Sequence, residues 1–338
     1  MRALIIVLTG LVGAQFGHAH HSTLQFDQSE KISIHGTIVK YEWVNPHVYL
    51  YVEETKADGK AVTWQVEGQP PAILRRMGWS KDTLKVGDRI TANGNPGRDA
   101  KRNILLLETL EKPDDSVLDT AMLTIMTSLQ QQDVAEPEPA DSLQGTWATQ
   151  LNMPVVTPLW LPTPELLTEK GRAAKEDFVE VRDSPAINCV AMTPPSMMLT
   201  PDIKEIDIKE DVVIIRGEFD AVERTIHLDT ESHDDASESL HGYAIGHWDG
   251  DTLVIETAKF APHRTGNGTG VPSGRKKHLV ERLQLNEART HLVYSFELTD
   301  PEYLAQPITG NEVLSTHRPD LEYSALACDP ENARRFTE

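Results

Sequence analysis

Residues 31–67 read KISIHGTIVKYEWVNPHVYLYVEETKADGKAVTWQVE, and three strand-forming runs inside this stretch decide the fold of the first half of the chain. Lys31 to Val44 alternates and is rich in β-branched and aromatic side chains. His47 to Glu53 follows the break Asn45-Pro46, and Ala61 to Glu67 follows the turn Asp58-Gly59. A period of two puts alternate side chains on one core face, and the breaks between runs make a meander. Next, Pro70 and Pro71 open a short helix with Ile73, Leu74 and Met77 as its apolar stripe and Gly78 at its end, proline entering and glycine leaving. Gly87 to Asn95 and Asn103 to Glu111 read as two further strands. The order β-β-β-α-β-β between Lys31 and Lys112 is that of an OB-like five-stranded barrel with one helix. Gly36, Gly87 and Gly94 stand where tightly coiled strands need relief. Trp43, Tyr49, Tyr51 and Trp64 provide either a stacking face or ordinary strand packing, and packing is the commoner use.

Toward the N-terminus, Arg2 precedes an apolar run from Ala3 to Ala14 and the small-residue pattern Gly17-His18-Ala19, the composition of a secretory signal peptide. Cleavage after Ala19 makes His20 the first residue, and cleavage after Ala14 makes it Gln15. The run falls short of the ~20 residues that span a bilayer. No later stretch is apolar enough to span one either, so the expectation is a periplasmic or secreted protein without a membrane span.

Toward the C-terminus, Pro113 to Gln144 combines an apolar helical stretch (Leu118, Met122, Leu123, Ile125, Met126, Leu129) with a Pro- and acid-rich linker. The expected organisation is residues 1–19 signal peptide, 20–112 OB-like barrel, 113–143 helix and linker, and 144–338 a second antiparallel β-rich domain. In that domain Asp202–Phe219, Val222–Thr230, Tyr243–Thr257, His278–Leu285 and His291–Leu298 read as strands, with Asp249-Gly250 as the clearest hairpin turn. Glu165 to Asp177 reads as one helix, and Thr265 to Gly274 as a mobile loop leading into the basic patch Arg275-Lys276-Lys277. A barrel and a sandwich both accommodate this pattern. Gly145-Thr146-Trp147, which resembles the G-x-W opening of lipocalin-like barrels, inclines the reading to the barrel. The fold class is mostly β throughout.

The formal charge is −20, from 32 basic and 52 acidic residues, which opposes nucleic acid or an anionic membrane surface as partner. A small ligand or a metal ion is the expected partner. The two cysteines, Cys189 and Cys328, pair by default in an oxidising compartment, and no C-x-x-C suggests zinc.

His20-His21-Ser22 with Phe26-Asp27, then Asn45-Pro46-His47, Trp64 with Glu67, Gly78-Trp79 and Gly87-Asp88 together resemble an exported proteobacterial family known only as a domain of unknown function. The resemblance covers roughly residues 20 to 112. The second half resembles another uncharacterised exported module through Gly246-His247-Trp248-Asp249-Gly250-Asp251-Thr252-Leu253-Val254 and Glu281-Arg282. It departs from that module around Thr230, where a glycine tends to follow the aspartate. Neither resemblance supplies an activity.

No G-x-S-x-G nucleophile elbow and no phosphate-cradling loop with its lysine is present. Two constellations remain. His20, His21 and His47 offer imidazoles that suit copper, zinc or nickel, and an N-terminal His20 adds its α-amine as a chelating donor, a set that favours Cu(II). His227, Asp229, His233, Asp234, Asp235, His241 and His247 form the denser cluster, in which His227 and Asp229 would share a strand face as an acid/base pair or as metal ligands. The first makes the chain a binding or copper-handling accessory protein. The second makes it a hydrolase or isomerase with weak catalytic candidates His227, Asp229, His233 and His247. An adaptor without a small ligand is the third reading.

Overall fold

The computed structural model describes residues 25–121, 124, 125 and 137–335. The first barrel is built from β1 (Ile32–Glu42), β2 (Tyr49–Thr55), β3 (Ala61–Glu67), α1 (Pro71–Arg76), β4 (Arg89–Pro96) and β5 (Ile104–Glu111). Its sheet order is β3-β2-β1-β4-β5, extended by β6 (Val117–Asp119) and closed by a β3–β5 pairing. This is the closed five-stranded barrel with one helix that the order of runs implies. Antiparallel neighbours alternate in direction, so a ring with an odd number of strands must contain a parallel pair. Here that pair is the closure itself, Gln65↔Ile104 to Glu67↔Leu106. Ile34, Ile38, Leu50, Val52, Val66, Leu74 and Leu105 fill the interior. Gly36 and Gly94 lie under the carbonyls of Glu53 and Leu106, leaving no room for a Cβ where strands cross tightly.

The second barrel follows β7 (Gly145–Thr149), α2 (Met153–Trp160), α3 (Glu169–Glu176), α4 (Glu180–Asp183) and α5 (Ser196–Leu199). Its remaining strands are β8 (Ile203–Ile208), β9 (Val212–Gly217), β10 (Val222–His227), β11 (Tyr243–Asp249), β12 (Thr252–Ala258), β13 (His278–Leu285), β14 (His291–Thr299) and β15 (Ile308–His317). The ring order is β10-β11-β12-β13-β14-β15-β7-β8-β9. The barrel is therefore preferred over the sandwich, and it is not wholly antiparallel. Nine strands again require a parallel pair, and it falls at β10–β11, Ile226↔Ala244 and His227↔Ile245. A parallel connection must carry the chain back along the barrel, which is why residues 228–242 form a long crossover.

Four local readings need correction. Glu165–Asp177 is not one helix: a 3-10 turn, Pro164–Leu166, precedes α3, because Leu167 pairs with Leu304 and Thr168 caps α3 by accepting from the Gly171 N–H. The β11–β12 turn sits one residue on, since Asp249 pairs with Thr252 and leaves Gly250 and Asp251 as loop residues. Thr265–Gly274 is a packed loop: Asn267 and Val271 are fully buried, and Asn267 Nδ2 donates to Asp300 Oδ2 and the Pro272 carbonyl. Lys277 is no surface charge but is buried, its Nζ donating to the carbonyls of Pro194 and Gly266 and to Thr193 Oγ1 above the Phe260 ring.

Leu118, expected in the helical stretch, is instead a β6 residue paired with Leu110, and the predicted signal peptide and most of the rest of the helix and linker lie outside the described residues. Ile125 is buried against Ile73 of α1 and Met77 at its C-cap. At the other end of the linker, the Ala140 N–H donates to the Arg289 carbonyl, and the Arg289 side-chain Nε donates to the Ala140 carbonyl.

The barrels are joined by a polar seam. Arg75 of α1 bonds Glu218, while Arg76 donates to the carbonyls of Thr149 and Pro201. Asn45 Nδ2 donates to Asp220 at 3.3 Å. Cys189 and Cys328 form a disulfide with Cα atoms 5.5 Å apart, and the chain after Cys328 returns to the first barrel. There α6 (Pro330–Ala333) lies beside β2, with the Tyr49 hydroxyl donating to the Asn332 carbonyl.

Candidate functional site

Of the three histidines expected to hold a metal, His20 and His21 lie outside the described residues. His47 stands two residues before β2 and is 8% exposed. Its Nδ1 lies 3.0 Å from the Gly68 carbonyl, which can only accept, so the proton sits on Nδ1 and the lone pair of a neutral ring on Nε2. Glu67, also buried, places Oε1 3.6 Å from the same Nδ1. Phe26, fully buried, packs against Tyr49 and Ile104 and pairs with Gly97, which anchors the N-terminal arm on β2, whose first residue lies two positions after His47. Among the described residues no group of three or more His, Cys, Asp or Glu is arranged to hold a metal ion.

The second constellation separates. β10 ends at His227, so Asp229 sits in the crossover, exposed, and the strand-face argument for the pair does not apply. His227 stacks on Tyr243 with ring centroids 4.5 Å apart. His233 meets the edge of that tyrosine and donates toward the Glu256 carbonyl, and Asp234 and Asp235 are exposed. What does gather is a set centred on Glu256, outside the barrel. His278 Nε2 lies 2.8 Å from Glu256 Oε1, and its imidazole, with lesser contributions from His233 and His247, holds the Glu256 carboxyl below the usual range. Glu256 and His278 escape a sequence reading because neighbouring strands, not sequence spacing, bring them to the histidines.

Inside the second barrel lies a charged cluster that sequence reasoning missed. Arg224 donates from Nη1 to Glu281 Oε1 at 2.9 Å and from Nη2 to Thr257 Oγ1, and the Tyr294 hydroxyl donates to the same carboxylate at 2.8 Å. Burial, then the Glu281 charge, raises the Tyr294 phenol well above its ordinary value. His241 adjoins this cluster, and burial followed by the Arg224 charge lowers its pKa to about 4. Among the described residues, Arg224 Nε is buried without a hydrogen-bond partner. The rest of the interior is filled by Trp147, Phe296, Leu279, Leu283 and their neighbours.

The four aromatics of the first barrel do not form one stacking face. Tyr49 is 2% exposed, Trp64 packs on the barrel core and donates to Glu54, and Trp43 lines the junction with the second barrel. Tyr51 lies under two cations, Lys40 at 4.9 Å and Arg335 at 5.7 Å from its centroid. In OB barrels ligands lie along the β2–β3 face. Here the chain's own C-terminal segment occupies part of that face: Arg335 bonds Glu42 Oε2 at 2.6 Å and the Tyr51 hydroxyl at 2.9 Å and stacks on Tyr49. A polar groove of about 640 Å3 remains beside it.

These features define a class: a two-barrel β protein whose OB-type first barrel meets a nine-stranded second barrel across a polar seam, with a disulfide-tied C-terminal segment laid back on the first. Residues 10–106 match a family described as of unknown function, DUF6152, a stretch that reaches from before the described residues into β5. No curated protein matches the chain.

Proposed function

We propose that the protein is an exported binding protein that handles a metal ion, copper foremost, at the N-terminal end of its first barrel. The observation that supports this best is the setting of His47. Its Nδ1–H is engaged by the Gly68 carbonyl, the arrangement by which protein sites orient an imidazole so that Nε2 coordinates. With Phe26 anchored against Tyr49, residues 20–25 have a reach of ~20 Å at ~3.3 to 3.6 Å each, enough for His20 or His21 to meet His47. After cleavage at Ala19 the His20 α-amine and imidazole would chelate one metal, and amine plus imidazole suits the tetragonal N-donor geometry of Cu(II). Export is supported by the Cys189–Cys328 disulfide, since such bonds persist in oxidising compartments.

The test is a Cu(II) titration read by electron paramagnetic resonance on protein beginning at His20, on the same protein with one added N-terminal Gly, and on His47→Ala. One copper per chain is expected in the first, with affinity falling at least ~10-fold in the other two, equivalent to ~1.4 kcal/mol. Because the α-amine must lose a proton whose free pKa is ~7.7 to 8, affinity falls as pH drops below neutral. Unchanged affinity and an unchanged spectrum in the Gly-extended form would end this reading.

A further inference from the structure

Beside the seam the two barrels leave a groove of about 520 Å3 that the metal reading does not use. Trp43 and Trp79 line it from the first barrel, and Leu321, Tyr323 and Leu326 from the segment that leads to the disulfide. This apolar and aromatic lining is joined by three cations, Arg75, Arg76 and Lys81, against one carboxylate, Glu322. Arg75 and Arg76 are committed to the seam through Glu218 and the carbonyls of Thr149 and Pro201, whereas Lys81 is exposed.

Small-molecule sites favour domain junctions, fall in the range ~300 to 1,000 Å3, and combine an apolar lining with a few placed polar groups. All three conditions hold here. We infer that the inter-barrel groove binds a small amphipathic organic anion, an aromatic or short-chain carboxylate, with its apolar body against Trp43, Trp79 and Tyr323 and its carboxylate toward Lys81. The aromatic lining disfavours a bare inorganic anion, which would gain nothing from it. Lys81 disfavours a neutral apolar ligand, which would have to cover its charge without compensation.

The experiment uses metal-free full-length protein and isothermal titration with 4-phenylbutyrate and its uncharged counterpart 4-phenylbutanol. The carboxylate should bind at one site per chain and the alcohol at least ~10-fold more weakly. Lys81→Glu should weaken the carboxylate by ~10-fold or more, and Tyr323→Ser should weaken both ligands. Lys60→Glu, the same charge change at the β2–β3 turn, should leave both affinities unaltered. Lys81 is exposed, so its replacement tests the site without threatening the fold. The inference is overturned by the absence of saturable carboxylate binding at millimolar concentration, by equal affinity for acid and alcohol, or by a Lys81→Glu protein that binds as the parent does.

Discussion

Arg224 illustrates what one residue in the wrong-looking place does. On β10 it alternates inward with Val222 and Ile226, so an apolar strand face carries a guanidinium into the barrel. The charge is tolerated because Glu281 meets it from β13, with Thr257 accepting from the guanidinium and Tyr294 donating to the carboxylate. Removing one member of such a pair strands the other in a medium that cannot solvate it, at a cost of about 3 to 5 kcal/mol, while replacing both is often neutral. Arg224→Met and Glu281→Leu should each lose stability of that order in urea denaturation, and the double variant should recover most of it. Additive losses would show that the two groups do not act as a pair. Sequence reasoning missed the pair because the partner lies 57 positions away and cannot be chosen from the many carboxylates. His47 is the opposite case: its motif is conspicuous in the sequence, and only the fold reveals which ring nitrogen carries the proton.

Among the elements, α1 does more than its sequence announces. Its apolar stripe packs on its own barrel as expected, while Arg75 and Arg76 in the last turn reach the second barrel. Burial pushes the partner carboxyl, Glu218, up to about 7 against the opposing pull of Arg75. The folded protein then holds the proton more tightly than the unfolded chain does. The stability gained from that proton is fully present below the ordinary carboxylate value of 4.5 and is lost as pH rises through about 7. The fall is bounded at ~3 kcal/mol by the size of the shift. Denaturant stability measured at pH 5 and pH 8 should therefore diverge in the parent and diverge less in Glu218→Gln, where Asp220, raised by burial to about 6, still titrates. A variant that keeps the parent's full pH dependence would place the effect elsewhere. Strands with strong alternation, β1 to β5 and β8 to β14, were legible because each buries one face and repeats at two. β15, with its register shift between Tyr294 and Phe296, was not, and the short β6 reads as part of the helical stretch through Leu118.

At the scale of the molecule, the disulfide closes a sequence separation of 139 and pins the segment that lies across the first barrel. In the chain-entropy account a loop of that length is worth ~5 kcal/mol. Reduction, or Cys189→Ser with Cys328→Ser, should lower stability by up to that amount. It should also raise amide exchange in Asp329–Arg335, since the bonds to Asn45, Tyr49 and Glu42 would hold the segment alone. Exchange unaltered by reduction would mean that those bonds suffice.

The sequence by itself determined the local terms: the period of two, the turn residues, the proline-opened helix, and hence the strand order from which the first barrel follows. With only two cysteines it also determined which pair could bridge. Tertiary structure alone decided that the second domain closes into nine strands, that closure demands a parallel pair at β10–β11, and that the intervening histidines and aspartates are therefore spread along a crossover. It alone decided which charges are buried and that the C-terminal segment lies on the first barrel. The reason is physical: propensity and periodicity act among neighbours in the chain, whereas ring closure, desolvation and charge pairing are settled between residues that meet only once the chain has folded.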